Sequence, residues 1–443
     1  MASAAEQLAA NFRFSSFAKA EELKKRLWFT LGALVVYRLL TYVPLPGIDP
    51  VALSQFFQRS QGGVLDMFNM FSGGALQRMS IVALNIMPYI SASIIMQLMT
   101  SMSSSLGQLK KEGEAGRKKI NQYTRYGTVL LTAVQGYGLA MALEGQNVVL
   151  DPGFFFRIAT VITLVGGTMF LMWLGEQITA RGVGNGISLI IFAGIVAQMP
   201  RALGQALSLG EQGVMSPGGI LMILIGVVAL VFGIVFMERA QRRVTIQYPK
   251  RQMGNRMMQG DTSHLPMKLN TSGVIPPIFA SSLLLLPMTI AGFSAAGGPS
   301  WMTTITSVLG HGQPLYIVLY AALIIFFAFF YTAIVFNPDE TADNLKKHGG
   351  FVPGIRPGKK TAEYLDYVLT RLTVIGSAYL AVVCVIPEIL IARYSIPFYL
   401  GGTSLLIVVN VTMDTVGQIH SHLLAHQYEG LIKKAKLRGG RRK

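Results

Sequence analysis

The chain has 443 residues, of which 51% are hydrophobic and 13% charged, with a net charge of +17 and a mean hydropathy of +0.48. Soluble globular chains carry about 25% charged residues, so this composition excludes an ordinary soluble domain and indicates a polytopic membrane protein. The one cysteine, Cys384, lies in an apolar run, which excludes a fold held by disulfides.

The chain opens with a polar arm, residues 1–26, that contains three phenylalanines and ends in Lys24-Lys25-Arg26. No cleavable signal peptide is evident in it, so we expect an uncleaved cytoplasmic arm of the kind that forms an amphipathic surface helix. Ten apolar runs follow, each long enough to approach the thickness of a bilayer. They are Leu27–Val43, Met79–Met102, Tyr123–Leu143, Phe154–Gly175, Val183–Leu203, Pro217–Met237, Gly273–Phe293, Pro314–Phe336, Leu372–Pro387 and Pro397–Met413.

Lysine and arginine are concentrated in alternate segments between these spans. Thirty of them occupy six segments, and only five occupy the segments in between together with their outer span edges. Because positively charged segments stay on the cytoplasmic side, both termini are predicted to be cytoplasmic, and the even number of spans agrees. The six basic segments are 1–26, 103–121, 176–182, 238–272, 337–370 and 425–443.

The span count divides naturally at residues 204–216, which we interpret as an external hinge. Each half then has five spans, residues 27–203 and residues 217–424, followed by a basic cytoplasmic tail, residues 425–443. Because five is odd, the second half would insert upside down relative to the first. Inverted repeats are common in transport folds, which place the working site at the interface between the halves.

The stretch Val64–Met102 is too long for one span and is broken at Gly73-Gly74, since glycine disfavours helix. Its first piece, residues 64–76, is too short to cross and carries Asp66 and Asn69. Such a segment is tolerated at membrane depth only inside protein or beside a watery cavity. The sequence therefore predicts a cavity that contains this half-helix.

The second piece carries a stripe of Ile86, Ile90 and Ile94 with Ser91, Ser93 and Gln97 beside it. One interpretation is an isoleucine face turned to lipid, with small residues packing against another helix. The other is a dry apolar constriction beside a weakly polar seam.

Two of the basic segments are unusually long. Residues 238–272 hold the alternating run Val244–Tyr248 and turn signals at Pro249 and Gly254-Asn255, which predicts a protruding basic hairpin. Residues 337–370 begin with Asn337-Pro338, which ends the preceding span, and continue with a short polar helix, a Pro/Gly-rich elbow at Phe351–Gly358 and a helix capped near Thr361. Both could simply serve topology and touch anionic lipid, but their length favours docking of an acidic partner, a protein or ribosomal RNA.

The sequence contains no catalytic motif, so we predict that the protein is not an enzyme and needs no cofactor or metal. Gly182–Gly186 superficially resembles a phosphate loop, but it opens an apolar span and favours helix entry. His422 and His426 share a helix face, and without a third ligand at useful spacing they indicate a solvated tail.

Ionisable residues within the spans are few and lie near predicted ends, where snorkelling costs little. Their scarcity argues against an ion-coupled transporter. They are Arg38, Glu176, Glu388 and Asp414.

Several stretches, in the family's order along the chain, resemble the SecY family of bacterial protein-conducting channels. Residues 1–20 and the Arg438–Lys443 tail fall outside the resemblance. The matching stretches are Met67–Leu76, Ile86–Ile95, Lys110–Gly116, Asn121–Gly127, Gly167–Thr179, Arg181–Ile187, Asn337–Lys347, Phe351–Gly358 and Gly401–Ile407.

The resemblance implies an all-α membrane protein with ten transmembrane helices in two inverted five-helix halves around an hourglass pore. The pore would pass unfolded secretory polypeptides and release hydrophobic segments sideways into the bacterial inner membrane. A constriction ring would be formed by five isoleucines, with Ile275 an alternative to Ile278 because it lies one helical turn away. The ring residues are Ile86, Ile90, Ile191, Ile278 and Ile407.

The resemblance also assigns a plug to residues 64–76, on the outer side of the ring. A lateral gate would lie between the second and seventh spans, with Ser91, Gln97 and Ser282 at the seam. The plug residues singled out are Asp66, Met67, Phe68, Asn69, Met70, Phe71, Ser72, Gly73 and Gly74.

The partners that the resemblance implies are the small membrane subunits SecE and SecG, the motor SecA, the ribosome, signal-bearing polypeptides and anionic lipids, but no DNA. The motor or the ribosome would dock on the long basic loops. The docking residues would be Arg242, Arg243, Lys250, Arg251, Arg356, Lys359 and Lys360.

The alternative function is a secondary transporter of a small solute, which would need polar groups that converge at the midplane. A purely structural assembly platform would explain the basic loops but not the interrupted segment 64–76.

Overall fold

The structure is a computed structural model of the chain. It describes residues 21–59, 69, 71–211, 217–249, 251–253, 256–258, 262–293, 308, 313–394 and 402–439. Nearly all secondary structure in these ranges is helical, as the composition predicts.

The first half of the chain forms seven of the helices. They are α1 (Glu21–Leu40), α2 (Pro50–Arg59), α3 (Met87–Met102), α4 (Ser104–Lys111), α5 (Glu114–Gly145), α6 (Phe154–Arg181) and α7 (Gly186–Glu211). The second half contributes six helices and four strands. They are α8 (Pro217–Arg239), β1 (Gln241–Gln247), β2 (Arg251–Met253), β3 (Arg256–Met258), β4 (Thr262–Lys268), α9 (Ile275–Phe293), α10 (Pro314–Val335), α11 (Pro338–Lys347), α12 (Lys359–Tyr394) and α13 (Gly402–Gly439).

Each of the ten predicted spans coincides with a helix, namely α1, α3, α5 to α10, α12 and α13. Within the described ranges, six of these are long and apolar enough to cross a membrane by composition alone: α5, α6, α7, α8, α10 and α12. Several helices run well beyond the apolar stretch that predicted them; α13, for example, continues to Gly439. Hydropathy marks where a helix meets lipid, whereas the backbone hydrogen bonds of the helix continue into polar turns.

The predicted start of the second span, Met79, is wrong. Helix α3 begins only at Met87, and residues 72–86 form turns. The cause is a local pairing with the chain after α1, because Leu45 N donates to Met79 O at 2.8 Å and Ile81 N to Val43 O at 3.0 Å. Met79 and Asn85 adopt positive φ angles of 42° and 50°, which an α-helix does not allow.

Helix α2 was not predicted. It buries Leu53 and Phe57 against Leu76, Met79 and Leu84 of the turn segment, in an apolar cluster separate from the main core. A helix of ten residues with one apolar face is too short to give a spanning signal. The residues that α2 packs against were assigned by the sequence analysis to the plug segment and to the second span.

The helices pack as two groups. In the first, α5 packs on α3 and α6, and α6 packs on α1 and α7; in the second, α10 lies between α9 and α12, and α13 packs on α8 and α12. The groups meet along two seams: α3 and α5 contact α9 on one side, while α7 and α1 contact α13, and α7 also contacts α8, on the other. The largest apolar cluster draws residues from both groups.

The two long basic loops form one joined protrusion. Strands β1 and β4 pair antiparallel from Gln241↔Lys268 to Gln247↔Thr262, and β2 pairs with β3 at the tip, which confirms the predicted hairpin. Gln247 also exchanges two backbone hydrogen bonds with Phe351, at 2.9 and 3.0 Å. The hairpin and the elbow are therefore joined by backbone hydrogen bonds.

Helix α11 confirms the short polar helix predicted after Asn337-Pro338. The Asn337 side chain accepts hydrogen bonds from the backbone N–H groups of Asp339 and Glu340, at 3.2 and 3.5 Å. Asparagine at this position and proline in the first turn are typical of a helix start.

Candidate functional site

Four of the five predicted ring isoleucines belong to one buried apolar cluster. Ile86, Ile90, Ile191 and Ile407 are all buried in the largest apolar cluster. They come from the start of α3, from α7 and from α13, so both halves contribute. Ile278 and Ile275 of α9 are both half-buried and pack against this cluster.

The orientation of the isoleucine stripe distinguishes the two interpretations of the second span. Ile86, Ile90 and Ile94 are 0%, 8% and 7% exposed, so the stripe faces the protein interior and not lipid. Burying an isoleucine side chain is worth about 1.5–3 kcal/mol, which makes the closed arrangement favourable.

The described part of the predicted plug lies directly against this cluster. Phe71 and Ala75 belong to the cluster, and Ser72 is 2% exposed. Asn69 stabilises the turn that follows it. Its backbone carbonyl accepts a hydrogen bond from Gly74 N at 2.8 Å, and its side-chain oxygen accepts one from Gln77 N at 2.9 Å. The remaining predicted plug residues, Asp66, Met67, Phe68 and Met70, lie outside the described residues.

Four side chains hold the backbone of this segment, and sequence reasoning assigned none of them to it. Tyr37 Oη donates to Ser72 O at 3.3 Å, and Asn85 Nδ2 donates to Phe71 O at 2.7 Å. Arg38 Nη1 and Arg78 Nη2 both donate to the carbonyl of Gly73, at 3.0 and 3.2 Å. We call these four residues the plug anchor.

Arg38 lies near the end of its span, in the last turn of α1, as predicted, but its side chain turns inward instead of snorkelling to water. Arg38 is half-buried and binds the plug backbone. No carboxylate among the described residues lies within ion-pair distance of Arg38 or Arg78. Both guanidinium groups stack near the ring of Tyr42, at 5.7 and 4.1 Å from its centroid. Only one sequence signal could have indicated that Arg38 binds this backbone. It is a positively charged residue in an apolar span that has no carboxylate nearby.

Glycine allows the plug backbone to approach α7 closely. Gly73 has φ +67°, and a Cβ atom added to it would lie 2.9 Å from Gly194 Cα. A Cβ added to Gly194 would lie 2.7 Å from Phe71 O. Gly194 is one turn along α7 from Ile191, so any side chain here would push the segment away from the isoleucine cluster.

The predicted gate residues lie on helices that contact each other, α3 and α9. Ser91 and Ser282 are buried, and Gln97 is half-buried. Gln97 donates only to Ser93 of its own helix, at 3.4 Å, and the Ser282 hydroxyl has no hydrogen-bond partner. Within the described parts of α3 and α9, no side-chain hydrogen bond crosses this seam.

The predicted docking residues lie on the joined protrusion. Arg242, Arg243, Arg356, Lys359 and Lys360 are exposed. The elbow around Arg356 is fixed by Gly354 and Gly358, with φ of +81° and +101°, and by Thr361 Oγ1, which donates to Arg356 O at 2.9 Å. Lys250 lies outside the described residues, as does the side chain of Arg251.

Gly182–Gly186 is a helix entry, as predicted. Asn185 Oδ1 accepts from Ile187 N at 3.1 Å and from Ser188 N at 3.4 Å, which caps α7. Among the described residues, no three His, Cys, Asp or Glu side chains converge as metal ligands.

The prediction that Glu388 lies at a span end, where its charge would reach water, is wrong. Glu388 is 6% exposed, in the interior of α12. Glu176 agrees better with that expectation, because it is partly exposed and pairs with Arg125 at 2.7 Å.

Comparison with known proteins identifies the family. A sequence profile of the SecY family matches residues 80–416. The protein translocase subunit SecY of Rickettsia felis is 57% identical over 422 residues, which is 94% of this chain and 97% of that protein. The chain belongs to the SecY family. The SecY proteins of Vibrio cholerae and Escherichia coli K12 are 55% and 54% identical, over 94% of this chain and 96% of each of those proteins.

Solved structures show the same fold at much lower identity. A structure described as that of a protein conducting channel matches with a TM-score of 0.64 and 18% identity, covering 90% of this chain and 92% of the other. The canine Sec61 channel in a ribosome-channel complex matches with a TM-score of 0.63 and the same identity and coverage. The fold of this chain is therefore that of the SecY-family channels, and the ten predicted spans are consistent with it.

Proposed function

We propose that this SecY-family chain is the channel through which a bacterial translocase passes unfolded secretory polypeptides across the inner membrane and releases hydrophobic segments into it. The observation that carries the proposal is that isoleucines from both halves are buried in one apolar cluster, which also contains Phe71 and Ala75 of the predicted plug. An apolar constriction excludes ions by dewetting. It also binds no particular type of side chain tightly, which is necessary because the polypeptides that pass through it vary in sequence.

The plug, in this proposal, is the segment 64–76, held closed by the plug anchor. Its hydrogen bonds to backbone carbonyls can be exchanged for water when the segment moves. One solved relative supports this role, because it is described as having a plug domain that stabilises the closed state of the translocation channel and maintains a membrane seal.

The lateral gate is proposed to lie between α3 and α9. A buried hydroxyl without a partner costs about 1–3 kcal/mol, and the Ser282 hydroxyl is in that state. The closed seam is therefore held by apolar packing alone in its described part, and an apolar signal segment can replace that packing from either side.

The distribution of lysine and arginine supports placing both termini and the joined protrusion in the cytoplasm. The exposed arginines and lysines of the protrusion suit the SecA motor or ribosomal RNA, and they suit anionic lipid headgroups at its base. Two relatives of known structure, canine Sec61 and the yeast Ssh1 complex, are described with a ribosome bound.

SecE and SecG would cover apolar surface on the outside of the bundle. Helices α1 and α8 expose large side chains that no other described element covers, and they suit either lipid or a partner helix. Examples are Trp28 and Leu39 on α1 and Met222 and Phe232 on α8.

A crosslinking experiment tests the channel against the alternative of a small-solute transporter. A stalled secretory chain with one cysteine should crosslink to Ile90→Cys and to Ile407→Cys. It should not crosslink to Met222→Cys on the outer face of α8, which is 75% exposed. Equal crosslinking at all three positions, or none, would contradict a path through the isoleucine cluster.

A further inference from the structure

A lateral gate requires the two halves to separate on one side while they stay joined on the other. Rotation about a stable axis needs two fixed points. The chain itself supplies one of them, because α7 and α8 are consecutive helices that belong to different halves and contact each other. Helix α7 has 26 residues and is therefore about 39 Å long, so its other end needs a fixed point of its own.

The loop before α7, residues 182–185, makes such a contact. Gly184 N donates to Gln418 Oε1 of α13 at 2.8 Å, across the boundary between the halves. Val183 N donates to Thr30 Oγ1 of α1 at 3.0 Å, and the Thr30 hydroxyl is itself oriented by donation to Arg26 O at 3.0 Å.

Apolar packing supports the same contact. Val183 is 2% exposed and forms a small cluster with Leu23 of α1 and Leu423 of α13. Leu27 and Ile419 pack against it. This cluster is separate from the core that contains the isoleucines, so it can persist while that core rearranges.

The loop conformation depends on glycine. Gly184 has φ +90°, and a Cβ added to it would lie 2.9 Å from Leu189 Cδ1 and 3.2 Å from Thr415 Oγ1. Close approach of the loop backbone to α13 is thus part of its geometry, and a helix entry alone needs no contact with α13.

We propose that residues 182–185, with Thr30, Gln418 and the Leu23–Val183–Leu423 cluster, form a second pivot, which we call the clasp. The halves rotate about the line from the clasp to the contact between α7 and α8 when α9 leaves α3. The clasp residues are positioning residues that contact no translocating chain. This inference rests on the proposed channel function.

Distance measurements by spin labelling test the proposal on the full chain in its membrane complex, with Cys384→Ala to remove the native thiol. One label pair spans the clasp, at Arg181→Cys and His422→Cys; the other spans the gate, at Ile95→Cys and Leu283→Cys. All four positions are exposed. When a stalled signal-bearing chain is engaged, the gate distance should increase and the clasp distance should stay unchanged. An equal increase at both would overturn the proposal.

A pair of crosslinks gives an independent readout. A short thiol crosslinker between Val183→Cys and Leu423→Cys should leave insertion of signal-bearing chains unimpaired. The same reagent between Ser91→Cys and Ser282→Cys should block insertion until it is cleaved. A fully formed clasp crosslink that blocks insertion would show that this contact must open, and the second pivot would be wrong. If neither crosslink impaired insertion, the proposed position of the lateral gate between α3 and α9 would be wrong. That result would not contradict the clasp contact.

The Gln418 hydrogen bond can be tested by a graded series. Gln418→Leu should broaden the clasp distance distribution, and Gln418→Glu, which keeps an oxygen facing Gly184 N, should restore it. Thr412→Val is the matched control, because Thr412 Oγ1 donates only to Val408 O of its own helix, at 2.7 Å. A Gln418→Leu distribution as narrow as that of the control would overturn the role of this bond.

Discussion

The two seams between the halves differ in the way they are held. At the clasp, a backbone N–H of one half donates to a side chain of the other, and a small apolar cluster packs beneath it. At the gate, α3 and α9 contact through apolar residues, and the buried hydroxyl of Ser282 has no partner. In the proposed mechanism this difference gives the chain a fixed side and a side that opens. Directional hydrogen bonds define a pivot, whereas apolar contacts can be replaced by any apolar segment.

The predicted isoleucine seal draws residues from helices of both seams, α3 at one and α7 and α13 at the other. Its loss should give the largest effect. Ile90→Gly with Ile407→Gly removes two buried side chains, each worth about 1.5–3 kcal/mol, and lets water enter the constriction. We expect a large rise in the ion conductance of the idle channel, measured in planar bilayers. The control is Leu221→Gly with Val228→Gly on the exposed face of α8. If the idle conductance of the isoleucine variant equals that of the wild type, the isoleucines do not form the ion seal.

In the proposed function a docked partner supplies the energy that opens the gate side, and Arg356 is our candidate for its docking point. Loss of a desolvated charged pair costs about 2–5 kcal/mol, so Arg356→Glu should impair motor-driven translocation strongly in reconstituted vesicles. Arg356→Lys should recover part of the activity, because lysine lacks the planar donor fork.

The matched control for Arg356 is Lys347→Glu, which makes the same charge change at an exposed position of α11. Membrane topology and abundance should be normal in all these variants. If Arg356→Glu instead lowers abundance in proportion to activity, the residue serves topology only.

The plug anchor should give an intermediate effect. Arg38→Gln removes a charged donor from Gly73 O, and such hydrogen bonds contribute about 1.5–3 kcal/mol. We expect higher idle conductance and faster labelling of Ala75→Cys, which is 0% exposed, by a water-soluble thiol reagent. Arg26→Gln on the same helix breaks only a surface pair with Glu22 and should change neither. Labelling of Arg38→Gln at the wild-type rate would contradict the anchor.

The smallest predicted effect concerns the gate seam itself. Ser282→Ala removes a buried hydroxyl that has no partner, so it should stabilise the closed seam by about 1 kcal/mol and lower the idle conductance. Ser281→Ala is the control, because Ser281 Oγ donates to Ile278 O at 2.9 Å and its loss gives no such gain. If Ser282→Ala raised the conductance, the hydroxyl would have a partner when the protein is in a membrane, and the contrast between the seams would weaken.

Much of the fold could be predicted because membranes impose simple rules. Apolar runs marked ten spans, and the Pro/Gly signals around Asn337 and Gly254 marked the helix and the hairpin of the protrusion. The isoleucines were assigned to a ring by resemblance, and the structure brings them into one cluster. What the resemblance says of their role as a seal, and of the plug and gate residues, remains a prediction.

The start of α3 could not be predicted, since hydropathy cannot show that Met79 and Ile81 pair with the chain near Val43. The plug anchor and the clasp join residues far apart in sequence, such as Arg38 with Gly73 and Gly184 with Gln418. By itself the sequence determined the membrane class and the places of the apolar helices, because transfer of side chains into lipid depends on local composition. Only the tertiary structure decided which polar groups meet across the halves, because hydrogen bonding depends on distances that a linear pattern does not contain.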